Sequence, residues 1–442
     1  MIFKDKLSNG MRVVGETMEN YRSVSVSVWI RAGSVYENED ERGVSHFIEH
    51  MLFKGTDKRS AGDIAEEIDA VGGNLNAFTS KECTCFYVKV LDENLPKAVE
   101  ILADLICNSK LDNADIEREK GVILEEISMN EDSPEDLAHE TLCQTFYEGD
   151  PLASPVLGTA QSVASFTRDT LVNYMSRLYR PENMVIAIAG HFNIDEFMNA
   201  AESCFRFRVG DAKQEKAGAK ASDGCSSSPA KFADVPYGKP AGGKRLRLVE
   251  KDVEQTHICF AFNGFPSESE GQYPLYMFNN AIGGSMSSRL FQSVREEKGM
   301  AYSVYSTPAF YSTTGYFTLY AGTGEKQTVE VAKLMLEEYH KIKKSGIEEA
   351  ELERGKNQLK SGYVMGREST SAHASSIGRA ELLGLTELSE DQIIEKINSV
   401  SNEAVREILP TVCDFDNMTA VFVGRVEKYR NQLEELILSN ET

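Results

Sequence analysis

Residues 23–30, Ser-Val-Ser-Val-Ser-Val-Trp-Ile, set an apolar side chain at every second position. That is the period of a strand with one buried face. Shorter β-rich runs fall at 12–14, 84–90 and 184–190. A helical period takes over at 60–71, 93–108, 113–130, 168–179 and 194–204, and again at 327–344 and 348–363. Most of these stretches are amphipathic, which predicts helices lying against sheet faces. Strands and helices alternate without strict βαβ units, so the predicted class is α+β.

The pattern occurs twice. A strand-like run starts at Val24 and again at His257, an offset of 233. A Glu-Arg pair recurs in a helical stretch at Glu117 and Glu353, offset 236. An Asn-Met strand begins at Asn183 and Asn417, offset 234. Near-constant offsets predict a duplicated domain. Between the copies, residues 211–244 are rich in Gly, Ala, Ser, Pro and Lys and lack an apolar period, as a linker does. The expected organisation is one domain over 1–210, a linker over 211–244 and a second domain over 245–442.

Length and composition fit this picture. The chain has 442 residues, enough for two sizeable cores. The excess of 69 acidic over 47 basic residues gives a formal charge of −22. Such a surface repels phosphate backbones, so nucleic acid is excluded as a partner, and a basic peptide would suit it better. Eight cysteines without a CxxC pair read as buried free thiols of a reducing compartment. No apolar run approaches about 18 residues, so no membrane span is expected. The first residues carry no secretory or organelle pattern, and a cytoplasmic location is expected.

The sharpest chemical feature is His46-Phe-Ile-Glu49-His50. On a helix, His46 and His50 lie one turn apart on one face and can hold a single metal ion. Glu49 points to the same side, where a carboxylate can take a proton from water and return it to a leaving amine. Zinc suits this use, because its catalytic sites combine three protein ligands with one open position. HxxEH is the inverted form of HExxH. The helical stretch 113–130 offers Glu117, Glu119, Glu125 and Glu126 as candidates for a third ligand, with Glu119 and Glu126 on one face. Each taken singly also fits a solvated helix face.

Extended to His46-Phe-Ile-Glu-His-Met-Leu-Phe-Lys-Gly-Thr56, the motif resembles the pitrilysin (M16, inverzincin) family of zinc metallopeptidases, in its bacterial processing-peptidase-like branch. Ile116-Glu-Arg-Glu-Lys-Gly-Val-Ile-Leu-Glu-Glu-Ile127 resembles the family's second motif. The resemblance implies that the third zinc ligand, 76 residues after His50, is Glu126, and that Glu119 is a supporting carboxylate of the site. Gly72-Gly-Asn-Leu-Asn-Ala-Phe-Thr-Ser80 resembles the edge strand that pairs with substrate. It implies a backbone-binding role for Asn76 and Ala77; read without the resemblance, this stretch is a turn. The segments 283–292 and 294–302 resemble the region that supplies an Arg and a Tyr to the substrate carbonyl, which implies Arg295 and Tyr302.

The expected protein is thus a zinc-dependent endopeptidase, a hydrolase of peptides or unfolded segments bound as an extended strand. The resemblance implies two homologous α/β-sandwich domains, each a mixed sheet covered by helices, forming half of a clamshell chamber. A homodimer would complete the chamber, or a heterodimer with an inactive paralogue. The other reading is a non-catalytic structural or binding subunit of the same fold. The second copy has Asn279, Ile282 and Gly283 at the positions corresponding to His46, Glu49 and His50, so one metal site per chain is expected.

Overall fold

A computed structural model describes residues 2–207 and 236–439. The first half contains strands β1 (Ile2–Lys6), β2 (Arg12–Thr17) and β3 (Ser23–Ile30), then helices α1 (Val44–Leu52) and α2 (Ala61–Ala70). Strands β4 (Asn74–Thr79) and β5 (Thr84–Leu91) follow, then α3 (Leu95–Asn108), α4 (Asn113–Asp132) and α5 (Pro134–Phe146). After these come α6 (Ala160–Ser165), α7 (Arg168–Leu178), β6 (Met184–Gly190) and α8 (Ile194–Cys204). The second half opens with β7 (Arg245–Glu250), β8 (Gln255–Asn263), α9 (Gln272–Ile282), β9 (Ala301–Phe310) and β10 (Gly315–Gly324). It continues through α10 (Thr328–Ser345), α11 (Glu349–Gly366), α12 (Thr370–Leu383), α13 (Glu390–Ser399) and α14 (Asn402–Val412), and ends with β11 (Thr419–Gly424) and α15 (Arg430–Leu438).

Two mixed sheets result, each with its own core, as an α+β duplication requires. The first has the order β1-β2-β6-β3-β5-β4, with β2 and β6 parallel and the other pairs antiparallel. The second has the order β7-β11-β8-β10-β9, with β7 and β11 parallel. The two orders match strand for strand once β1 is set aside. Central β6 is Met-Val-Ile-Ala-Ile-Ala-Gly and wholly buried, as a strand covered on both faces must be. Strand β3 alternates valine with Ser25, Ser27 and Trp29, but both of its faces are buried.

What covers the Trp29 face corrects the linear domain boundaries. One compact unit comprises residues 1–124, 156–236 and 367–387, and the other comprises 125–155, 237–366 and 388–442. Helix α12, from the second half of the sequence, therefore belongs to the first sheet. There Ile377 and Leu382 pack with Trp29, Val14, Val185 and Ala187. The Thr370 and Ser25 hydroxyls lie 2.9 Å apart. His373 Nδ1 lies 2.6 Å from the Glu16 carboxylate. Conversely, α5 from the first half belongs to the second sheet, packed on β8 and β11. There His139 Nε2 donates to the Tyr305 hydroxyl, which donates to Glu135, both at 2.8 Å. A hydrophobic face needs a cover, and nothing requires that the cover come from the same half. Of the expected linker, residues 211–235 lie outside the described residues.

Candidate metal centre

Helix α1 buries Phe47, Ile48, Met51 and Leu52, an apolar stripe that fixes its rotation. His46, Glu49 and His50 are thereby set beside the core. His46 is only 7% exposed. Helix α4 is continuous from Asn113 to Asp132. Glu119, Ile123 and Ile127 are buried on it and Glu126 is half-buried, while Glu125 is exposed. One ligand atom from each of His46, His50 and Glu126 lies within 4.8 Å of the other two. No other group of three or more such residues is present among the described residues. The two imidazole rings meet edge-on, with centroids 4.5 Å apart.

The surrounding groups prepare these donors. Glu119 Oε1 lies 2.9 Å from His50 Nδ1. A carboxylate only accepts, so Nδ1 carries the proton and Nε2 keeps the lone pair that a ligand needs. Glu119 Oε2 pairs with Lys54 Nζ at 2.7 Å. Burial pushes the Glu119 carboxyl upward, but the hydrogen bonds from Lys54 and His50 outweigh it and hold the group below the ordinary carboxylate range. Glu119 is therefore charged and orients His50. Burial, with His50 adding to it, brings His46 down to about 4, so this imidazole is neutral at pH 7, as a metal ligand must be. The Thr79 hydroxyl donates to Glu49 Oε2 at 2.6 Å.

Two imidazoles and one carboxylate in mutual reach, with a carboxylate on the ring nitrogen that faces away, fit a catalytic zinc ion. Of the four glutamates in 113–130, the structure brings Glu126 to the histidines and Glu119 behind one of them.

Asn76 and Ala77 lie on β4, an edge of the first sheet, opposite Tyr87 and Phe86. The turn expected from the bare sequence is therefore a strand, paired with β5 over its whole length. The Ala77 N–H donates to Asn76 Oδ1 at 2.8 Å, and α1 packs beside β4. Arg295 and Tyr302 belong to the other unit, where Arg295 sits in a π-helical turn, Phe291–Glu297. Its guanidinium lies 4.7 Å from the Phe291 ring centre and 4.6 Å from that of Tyr302. Tyr302 is 78% exposed. The described side-chain contacts of these two residues are with each other and with Phe291 and Glu296. Sequence reasoning missed Thr79 and Lys54 as partners of the site. Both fall inside the quoted motifs, but nothing local tells which carboxylate each will meet.

Two family models match the chain: insulinase (peptidase family M16) over residues 12–160, and the peptidase M16 inactive domain over residues 165–359. The chain is 40% identical to the uncharacterized zinc protease YmxG of Bacillus subtilis, across 92% of this chain and 94% of that one. This protein belongs to the M16 peptidase family. It is also 37% identical to an uncharacterized zinc protease of Streptomyces coelicolor, across 98% of this chain and 91% of the other. Zinc is the metal these M16 relatives are named for, and it is this chain's cofactor. The M16 fold is seen again in the solved structure of a peptidase M16 inactive domain from Pseudomonas fluorescens. That structure superposes with a TM-score of 0.83 at 20% identity, across 96% of this chain and 98% of that one. A Helicobacter pylori protease superposes equally well, TM-score 0.83 at 21% identity, across 96% of this chain and 99% of the other. Among the described residues no helix is long and apolar enough to cross a membrane.

Proposed function

We propose that this M16 chain is a zinc endopeptidase that cleaves peptides or unfolded segments. The observation that carries the reading is the meeting of His46, His50 and Glu126 beside Glu49. A non-catalytic subunit of the same fold would have no physical use for these four together. Zinc bound by the three ligands would lower the pKa of its water to about 7 and polarise the scissile carbonyl. Glu49, steadied by Thr79, takes the proton of the attacking water and delivers it to the leaving amine. Glu119 keeps His50 in the ligating tautomer. Substrate adds as a strand to the open edge of β4 at Asn76 and Ala77, which selects extended backbones over folded proteins. Arg295 and Tyr302 supply hydrogen-bond donors to the carbonyl oxygen.

The reading extends to a processing-peptidase-like enzyme of the cytoplasm, acting as a homodimer that encloses a chamber, with a heterodimer containing an inactive paralogue as the other assembly. The charge of −22 supports a preference for basic peptides. The test is cleavage of a mixed peptide library by the purified chain beside Glu49→Gln, with the zinc content of both. Cleavage by the parent alone, at about one zinc per chain in each, is the expected result. Absence of both zinc and cleavage from the parent would favour the non-catalytic subunit. Equal rates on Lys/Arg-rich and acidic peptides would dispose of the charge preference.

A further inference from the structure

The first turn of α1 carries His46, yet its N-cap, Gly43, offers no side-chain acceptor. Two carboxylate oxygens do the work from a distance. Glu37 Oε2 accepts from the Gly43 N–H at 2.7 Å, and Glu37 Oε1 accepts from the Ser45 N–H at 2.8 Å. The Ser45 hydroxyl, on a fully buried residue, lies 2.6 Å from the hydroxyl of buried Tyr174. The residue next to His46 is thus gripped through both its backbone and its side chain. Gly43 has φ of +89°, and an added Cβ would stand 2.6 Å from the Leu157 carbonyl oxygen, so the loop entering the helix has little room to relax.

We propose that Glu37 is a positioning residue of the metal centre, clamping the turn before His46 through the Gly43 and Ser45 N–H groups. Part of Glu37 reaches solvent, but its carboxyl is packed closely enough that burial pushes it up to about 7 against the pull of the two N–H groups. An N-cap side chain such as Ser or Asn accepts from a single N–H of the first turn, whereas Glu37 holds two from outside the helix, so helix capping alone does not account for the residue.

The inference rests on the ligand set of the proposed function. Zinc affinity is to be measured by chelator competition on the parent, Glu37→Gln and Glu37→Asp, with the visible spectrum of each Co2+-substituted form. The melting midpoint of each metal-free protein is measured alongside. Glu37→Gln should lose roughly 10- to 100-fold in zinc affinity, the range for groups that orient metal ligands, and its cobalt spectrum should change. Glu37→Asp, too short to span both N–H groups, should lose less but measurably. Parent-like affinity and spectrum in Glu37→Gln, with only the midpoint lowered, would make Glu37 a plain cap and overturn the proposal. If Glu37→Gln does not fold, parent-like values in Glu37→Asp overturn it equally. A parent that binds no zinc, as His46→Ala should not, overturns the ligand set and this inference together.

Discussion

Four carboxylates near α1 are told apart by what each one touches. Glu126 shares ligand distance with both histidines, Glu119 holds His50 and Lys54, Glu49 takes the Thr79 hydroxyl, and Glu125 faces solvent. Their substitutions should therefore fail differently. Glu49→Gln should keep its zinc and lose roughly 100- to 10,000-fold in peptide cleavage, the range for a positioned general base. A residual rate within tenfold of the parent would remove Glu49 from that role. Glu126→Gln should bind zinc far more weakly, and Glu125→Gln should bind it as the parent does; metal analysis after dialysis separates them. Loss of zinc in Glu125→Gln instead would mean that the ligand assignment is off by one position. Spacing along the helix made Glu119 and Glu126 candidates, because seven residues are close to two turns. Their different duties were not legible there, since they depend on Lys54 and His50 arriving from another element.

At the scale of elements, two packing arrangements carry opposite lessons. Arg59, 6% exposed, reaches Asp104, Glu100 and Glu67 at 2.7, 2.6 and 2.9 Å, tying the start of α2 to α3. Asp104 is itself only 2% exposed. Removing the cation leaves that charge buried, so Arg59→Met should cost about 3–5 kcal/mol at neutral pH, read by denaturant unfolding. Burial pushes the Asp104 carboxyl up, but hydrogen bonds from Thr56, Arg59 and Asn108 outweigh it, and the net shift is downward. A lowered folded-state pKa gives stability that is complete above the unfolded value near 3.9 and is lost as pH falls through the folded value. The penalty of Asp104→Asn should accordingly shrink below about pH 4, and a penalty constant from pH 7 to 3 would contradict the linkage. Gly378 on α12 is the other case. Helix propensity favours alanine there by about 1 kcal/mol. An added Cβ, however, would stand 2.3 Å from Trp29 Nε1 and 2.8 Å from the Ala187 Cβ. Trp29 is held by its hydrogen bond to Ser27, so overpacking of about 1–3 kcal/mol should win and Gly378→Ala should lower the melting temperature. A rise would show that the helix can back away from the sheet. The alternation in β3 and the apolar run in β6 announced these strands plainly. Periodicity alone hid the edge strand β4, because Gly72-Gly-Asn reads as a turn until a partner strand is known; only the family resemblance implied it.

For the whole chain, the repeat was visible because each copy keeps its strand order, but the exchange of helices was not. Periodicity shows that a face is apolar and leaves open which helix covers it. The consequence reaches the catalytic half directly. A fragment cut at residue 210 retains α1 and all of α4 but lacks α12. It would expose the face formed by Val14, Trp29, Val185 and Ala187 and leave Glu16 without His373. It would also carry α5 without the sheet that α5 covers. Burial of side chains of this size is worth about 1.5–3 kcal/mol each, and a domain's net stability is only about 5–15 kcal/mol. Residues 1–210 alone should therefore aggregate, or bind a hydrophobic dye without a cooperative melt. Residues 245–442 should behave likewise, because that fragment lacks α5. Coexpressed, the two fragments hold every exchanged helix between them and should copurify as a soluble pair that binds zinc. A sharp melt and zinc binding by residues 1–210 alone would show that α12 is dispensable to the first sheet, and that the boundary lies at the linker after all.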